Sequence, residues 1–117
     1  MHQRSLLSPL PDACAGEVTE RLLTARGVRM ERIVSFGQTT PAGEWYDQQE
    51  AEWVMLIAGR ARLAIEGENP ERELRAGDTI YLPAHCRHRV TWTDPQQPTV
   101  WLTLFLDTDL TPTCDAA

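Results

Sequence analysis

Cysteine is scarce in this sequence and is not arranged for pairing. Cys14, Cys86 and Cys114 are the three cysteines among 117 residues. Their number is odd and no C-x-x-C occurs, which argues against a disulfide framework and against a zinc knuckle. The expected setting is reducing and cytoplasmic. Positive charge is also in deficit. Eleven Lys and Arg face seventeen Asp and Glu, a formal net charge of −6. A nucleic-acid binder would carry a basic surface, and an anionic membrane surface would repel this chain. Neither nucleic acid nor membrane is therefore an expected partner. No apolar run approaches the roughly 20 residues that a spanning helix requires. The first residues, Met1 to Ser5, lead into no long apolar stretch, so no secretory signal is expected. Repeats, low-complexity tracts and long helical periodicity are missing as well.

What remains is a chain of one-domain length with a small core. Hydrophobic content of 42% and charged content of 24% are those of an ordinary globular protein. Residues 1–13, with Pro9 and Pro11, read as an arm, either mobile or crossing to a partner subunit. The barrel domain is expected over 14–110, and 111–117 as a tail. Glu17 to Thr24 suits a short helix face or a strand, and Gly27 ends it. Val28 to Phe36 is β-branched and apolar, with an alternation that slips near Arg32, as at a bulge or a change of face. Gly37 to Gly43 is a loop by composition. Trp45 to Ala58 begins polar and aromatic and ends in a continuous apolar run, the pattern of a strand buried on both faces. Arg60 to Glu66 alternates cleanly, with Ala61, Leu63 and Ile65 on one side.

Gly67 to Pro70 is a hairpin turn, and Glu71 to Arg75 a short polar edge strand. Thr99 to Leu106 is apolar on both faces, so one face would fill an interior and the other needs a cover. The cover is either the N-terminal segment or a second subunit, and a homodimer is the expectation. About eight short strands between Gly and Pro turns point to an all-β sandwich or barrel.

The stretch Gly77 to Trp92 carries the chemistry. A Gly-Asp turn opens it, Pro83 stops a short strand, and His85, Cys86 and His88 follow. Gly77, Pro83 and His88 stand in the spacing G-x5-P-x-G-x2-H-x3-N, with His85 at the second glycine and Trp92 at the asparagine. Upstream, Glu52, six residues and Gly59 complete the end of a G-x5-H-x-H…E-x6-G pattern. Tyr46 and Gln48 occupy its two histidine positions. These are the two motifs of the cupin superfamily, and the sequence resembles that family over roughly residues 37–106.

The resemblance implies a small antiparallel β-barrel of jelly-roll type, a double-stranded β-helix. It further implies a divalent metal (iron, manganese, zinc or nickel) held by two histidines and a glutamate of the first motif and a histidine of the second. Here Glu52 and His88 are kept. His85 restores a third nitrogen only if it points inward, and Gln48 offers an amide oxygen. The candidate metal set is therefore Glu52, His88, His85 and Gln48. The candidate ligand pocket adds Tyr46 and Trp92, because Trp92 shares the face of His88 if the strand alternates. The alternative is an unmetallated pocket in which Glu52 and His88 bond each other or a ligand. Cys86 is a packed residue, a thiolate ligand or a nucleophile. The function that follows is binding of a small polar molecule in the barrel, with dioxygenase-, isomerase- or lyase-type chemistry. The alternatives are a non-catalytic binding or sensing cupin, and a structural dimer with a degenerate site.

Overall fold

Turn residues cut this chain into extended runs too short to bury themselves singly, and pairing in sheets satisfies their backbone. The computed structural model describes residues 1–108. The expected tail, 111–117, and the end of the expected barrel at 110 lie outside them. The strands are β1 (Val18–Ala25), β2 (Val28–Ser35), β3 (Ala51–Ala58), β4 (Arg60–Ile65), β5 (Arg72–Arg75), β6 (Thr79–Leu82), β7 (His88–Thr93) and β8 (Thr99–Leu106). All pairs are antiparallel. One sheet has the order β1-β2-β8-β3-β6 and the other β5-β4-β7. Among the described residues there is no helix, and hence none long and apolar enough to cross a membrane. The segment that suited helix or strand is β1, and β5 is an edge strand as expected.

The core lies between the sheets. Val54, Leu56, Ile80, Leu82 and Trp101 of the large sheet meet Ala61, Leu63 and Leu74 of the small one. The chain passes from the large sheet to the small at Gly59, whose φ is +86°. A side chain there would sit 2.6 Å from Thr99 Cα and 2.7 Å from the Pro98 carbonyl oxygen.

Two expectations about faces are corrected by the register. The slip near Arg32 is not a bulge of β2, which pairs with β8 without interruption from Val28↔Leu106 to Ser35↔Thr99. The extra residue is Leu22 on β1, between the pairs Arg21↔Glu31 and Leu23↔Met30. Arg32 breaks the apolar pattern because it is buried on the outward side, where its guanidinium bonds Glu20 and the Leu6 carbonyl. Nor is β3 buried evenly on both faces. Val54 and Leu56 are buried inward, whereas Trp53 and Met55 are half-buried outward, beside Leu104 and Leu102 of β8.

The N-terminal arm lies along the outward side of β1 and β2, where Arg32 donates to the Leu6 carbonyl. Arg4 pairs with Glu20, and Gln38 Nε2 donates to the Ala13 carbonyl at 2.7 Å. Val34 and Val100 are fully buried, while Leu102, Leu104 and Leu106 remain half-exposed.

The loop between β2 and β3 runs along the free edge of β7. Thr93 Oγ1 donates to the Gln38 carbonyl, Thr40 N to Val90 O, and Tyr46 and His88 exchange backbone bonds at 2.8 and 3.2 Å. An edge strand is thereby covered, and the two motifs are stitched together.

Candidate functional site

This stitching makes the site. The Tyr46–His88 bridge and the bond from His85 N to the Gln48 carbonyl, 2.8 Å, fix the approach to β3 against the approach to β7. Glu52 then enters from β3, on the same side as Val54, and His88 from β7. They line a cavity of about 230 Å³. Its floor is apolar, with Leu63, Leu74, Ile80 and Leu82 buried beneath it. Its mouth is polar, and the exposed Glu17, Thr19 and Tyr46 mark where it meets solvent.

The Glu52 and His88 side chains are 12% and 6% exposed, and Glu52 Oε2 lies 3.5 Å from His88 Nε2. That distance is an ion pair at the limit of hydrogen-bond reach. Gln48 Nε2 donates to the same Oε2 at 2.9 Å, so Oε1 is left for a ligand. His88 Nδ1 lies 2.8 Å from the Cys86 carbonyl. A carbonyl only accepts, so Nδ1 carries a proton and Nε2 is the working nitrogen. Burial pushes the imidazole down, but the Glu52 carboxylate and the Cys86 carbonyl together outweigh it. The net result is a histidine held above its ordinary value. Tyr46 lies over it, ring centroids 5.4 Å apart. Burial and then the Glu17 carboxylate, with Glu52 and Glu44 adding, raise the Tyr46 phenol, against a hydrogen bond with Thr40. It stays protonated.

Two residues expected in the pocket stand outside it. His85 is exposed and its Nδ1 pairs with Asp47 Oδ1 at 2.8 Å. The cause is its backbone, with φ +62°, the left-handed conformation for which glycine is the default residue. The turn therefore throws the side chain outward. Trp92 is displaced by a bulge. Leu63 pairs with Val90 and Arg62 with Trp92, so Thr91 is an extra residue on β7. Beyond it the alternation inverts. Trp92 faces out, under the Arg62 guanidinium at 5.3 Å, and Thr93 points in, 1% exposed. Cys86 packs half-buried against the core. Burial and Glu68 raise its thiol, against Arg72, so it is no ready thiolate.

The donors that remain do not make a site for divalent iron, manganese, zinc or nickel. Such ions take at least three protein ligands from imidazole and carboxylate. Only Glu52 and His88 qualify here: His85 points away, Tyr46 is a neutral phenol, and the Gln48 amide faces Glu52 with its nitrogen. Among the described residues no three His, Cys, Asp or Glu side chains converge.

Glu17, Trp101, Thr103 and Phe105 line the cavity and stand outside the candidate set read from the sequence. A reading of β1 as a strand would have placed Glu17 and Thr19 on one side.

The αL position makes a test. His85→Gly should be more stable than His85→Ala by about 1 kcal/mol, because alanine keeps the strained Cβ. Both lose the exposed Asp47 pair, which contributes little. Equal urea midpoints for the two variants would remove the backbone explanation.

A cupin domain model matches residues 33–105. A protein from Ralstonia eutropha, whose name proposes a mannose-6-phosphate isomerase, is 42% identical over 92% of this chain and 100% of its own, with a TM-score of 0.89. A cupin superfamily protein from Desulfitobacterium hafniense is 14% identical, TM-score 0.72, over 91% of this chain and 92% of its own. A cupin 2 conserved barrel domain protein from Salinispora arenicola is 23% identical, TM-score 0.66, over 92% and 89%. No curated protein matches. With a family model spanning both motifs, and with Glu52 and His88 meeting in the barrel as those motifs require, this chain belongs to the cupin family.

Proposed function

We propose that the protein binds a small molecule with a polar head and an apolar body in this cavity, and that Glu52 and His88 act on it as a general acid–base pair. The observation that carries this is a buried ion pair at the polar end of an apolar cavity. The reaction class it supports is isomerisation or elimination next to a carbonyl. Glu52 takes a proton from the carbon beside the carbonyl, and His88 gives its Nε2 proton to the carbonyl oxygen, forming an enol. On a hydroxycarbonyl compound the enol is an enediol: Glu52 returns its proton to the former carbonyl carbon while His88 Nε2 takes the proton of the neighbouring hydroxyl, which becomes the carbonyl of the isomer. Where a leaving group stands on the next carbon instead, it departs with the Glu52 proton as His88 takes back the enol proton, leaving an unsaturated carbonyl compound. No oxidant is required. The name of the Ralstonia relative supports the isomerase class.

The test begins with a thermal-shift screen of small hydroxycarbonyl compounds, since a ligand of the folded state raises Tm. Each hit is then incubated in D2O and watched by NMR. The expected result is deuterium at the carbon beside the carbonyl, slowed about 100-fold or more in Glu52→Gln and in His88→Gln. Stabilisation by a ligand without exchange would instead make the protein a binding module. A screen in which no compound raises Tm would sink the proposal.

A further inference from the structure

The cavity has an electrostatic character of its own. No arginine lines it, and the chain contains no lysine. The inward-facing arginine of β2 is already engaged. Arg29 donates to Glu31 and Glu50 at 2.9 Å each and lies over the Phe105 ring at 4.1 Å. His88 faces Glu52. Against this, Glu17 stands at the mouth as a second carboxylate, and it is held there. Trp101 Nε1 donates to Ser35 Oγ at 3.2 Å, and Ser35 Oγ donates to Glu17 Oε2 at 2.7 Å. Ser35 is fully buried and Trp101 is 6% exposed, so an exposed acid is oriented from beneath by a buried relay. A preorganised carboxylate over an apolar floor rejects anions and accepts donors. The Tyr46 phenol is raised first by burial, and Glu17, Glu52 and Glu44 add to that in the same direction.

We infer that Glu17 is a specificity-determining residue, and that the cavity takes a non-anionic hydrogen-bond donor, its ammonium form most tightly, and refuses a phosphate ester. The inference rests on the cavity being the ligand site, as proposed above. Trp101 and Phe105 supply aromatic walls for the apolar body, and aromatic faces also favour a cation.

Three probes with one body separate charge from shape: benzylamine, benzyl alcohol and benzyl phosphate. Each is titrated into the full chain and followed by the His88 imidazole resonances and by calorimetry. Benzylamine should bind about tenfold or more tighter than benzyl phosphate, with the alcohol between, from one carboxylate at short range. Glu17→Gln should narrow that preference by about tenfold, and Ser35→Ala, which releases the Glu17 side chain, should narrow it in part. Glu17 is exposed, so its variant tests recognition with the fold intact. Tighter binding of benzyl phosphate at His88, or an unchanged preference in Glu17→Gln, would overturn the inference and leave the cavity as the ligand site. Probes that all leave His88 unmoved would overturn both.

Discussion

Gly59→Ala is expected to destabilise the fold by about 3–5 kcal/mol, a large share of a small domain's stability. Two costs combine. A non-glycine residue at φ +86° carries strain of about 1–3 kcal/mol. The new Cβ also meets backbone, Thr99 Cα at 2.6 Å and the Pro98 carbonyl at 2.7 Å, which a side-chain rotation cannot relieve. Overpacking of this sort costs a further ~1–3 kcal/mol. The position is where the chain leaves β3 for β4, so any shift propagates into both sheets. Gly77→Ala is the control. Its φ is +94°, but nothing lies within 4 Å of its Cβ position, so it should lose the backbone strain alone, about 1–2 kcal/mol. Urea unfolding of both variants tests this, and a Gly59→Ala loss no larger than that of Gly77→Ala would refute the contact argument.

His88→Leu is expected to cost about 2–3 kcal/mol. It leaves the Glu52 carboxylate, 12% exposed, with the Gln48 amide as its hydrogen-bond partner and, among the described residues, no paired cation. Removing one member of a buried pair is costly for the charge left behind. Glu52→Leu in the same chain should restore much of that loss, since an apolar replacement of both partners lies near neutrality. A double variant no more stable than His88→Leu would mean that the pair is not coupled.

The pH dependence follows in sign. The folded protein holds His88 above its unfolded value, so folding favours the protonated imidazole. That stabilisation is complete below about pH 6.5, the ordinary histidine value, and is lost as pH rises through the raised one. Subtracting the His88→Gln stability profile from that of the wild type should isolate a component that declines on the alkaline side.

The fold was legible because glycine and proline stand where strands end, and because β4 alternates without error. Half of the site was legible for the same reason: Glu52 and His88 sit at fixed distances from Gly59 and Pro83. His85 misled because spacing does not reveal a backbone turned to φ +62°. Trp92 misled because one extra residue, Thr91, exchanges the faces of a strand. Glu17 was hidden by polarity. At the start of β1 the apolar Val18 lies outward, while the polar Glu17, just before the strand, and Thr19 line the cavity, the reverse of the usual pattern, and the N-terminal arm along that side makes the reversal tolerable.

Glu52 belongs to the five-stranded sheet and His88 to the three-stranded one. Their separation of 3.5 Å is therefore also a measure of how far the two walls of the barrel stand apart. A bulky guest that wedges the walls open stretches the pair and lets the imidazole lose its proton sooner. A guest that draws the walls together tightens the pair and holds the proton longer. The girth of the barrel and the basicity of His88 are thus tied to one distance, because the carboxylate that raises the imidazole reaches it across the gap between the two sheets.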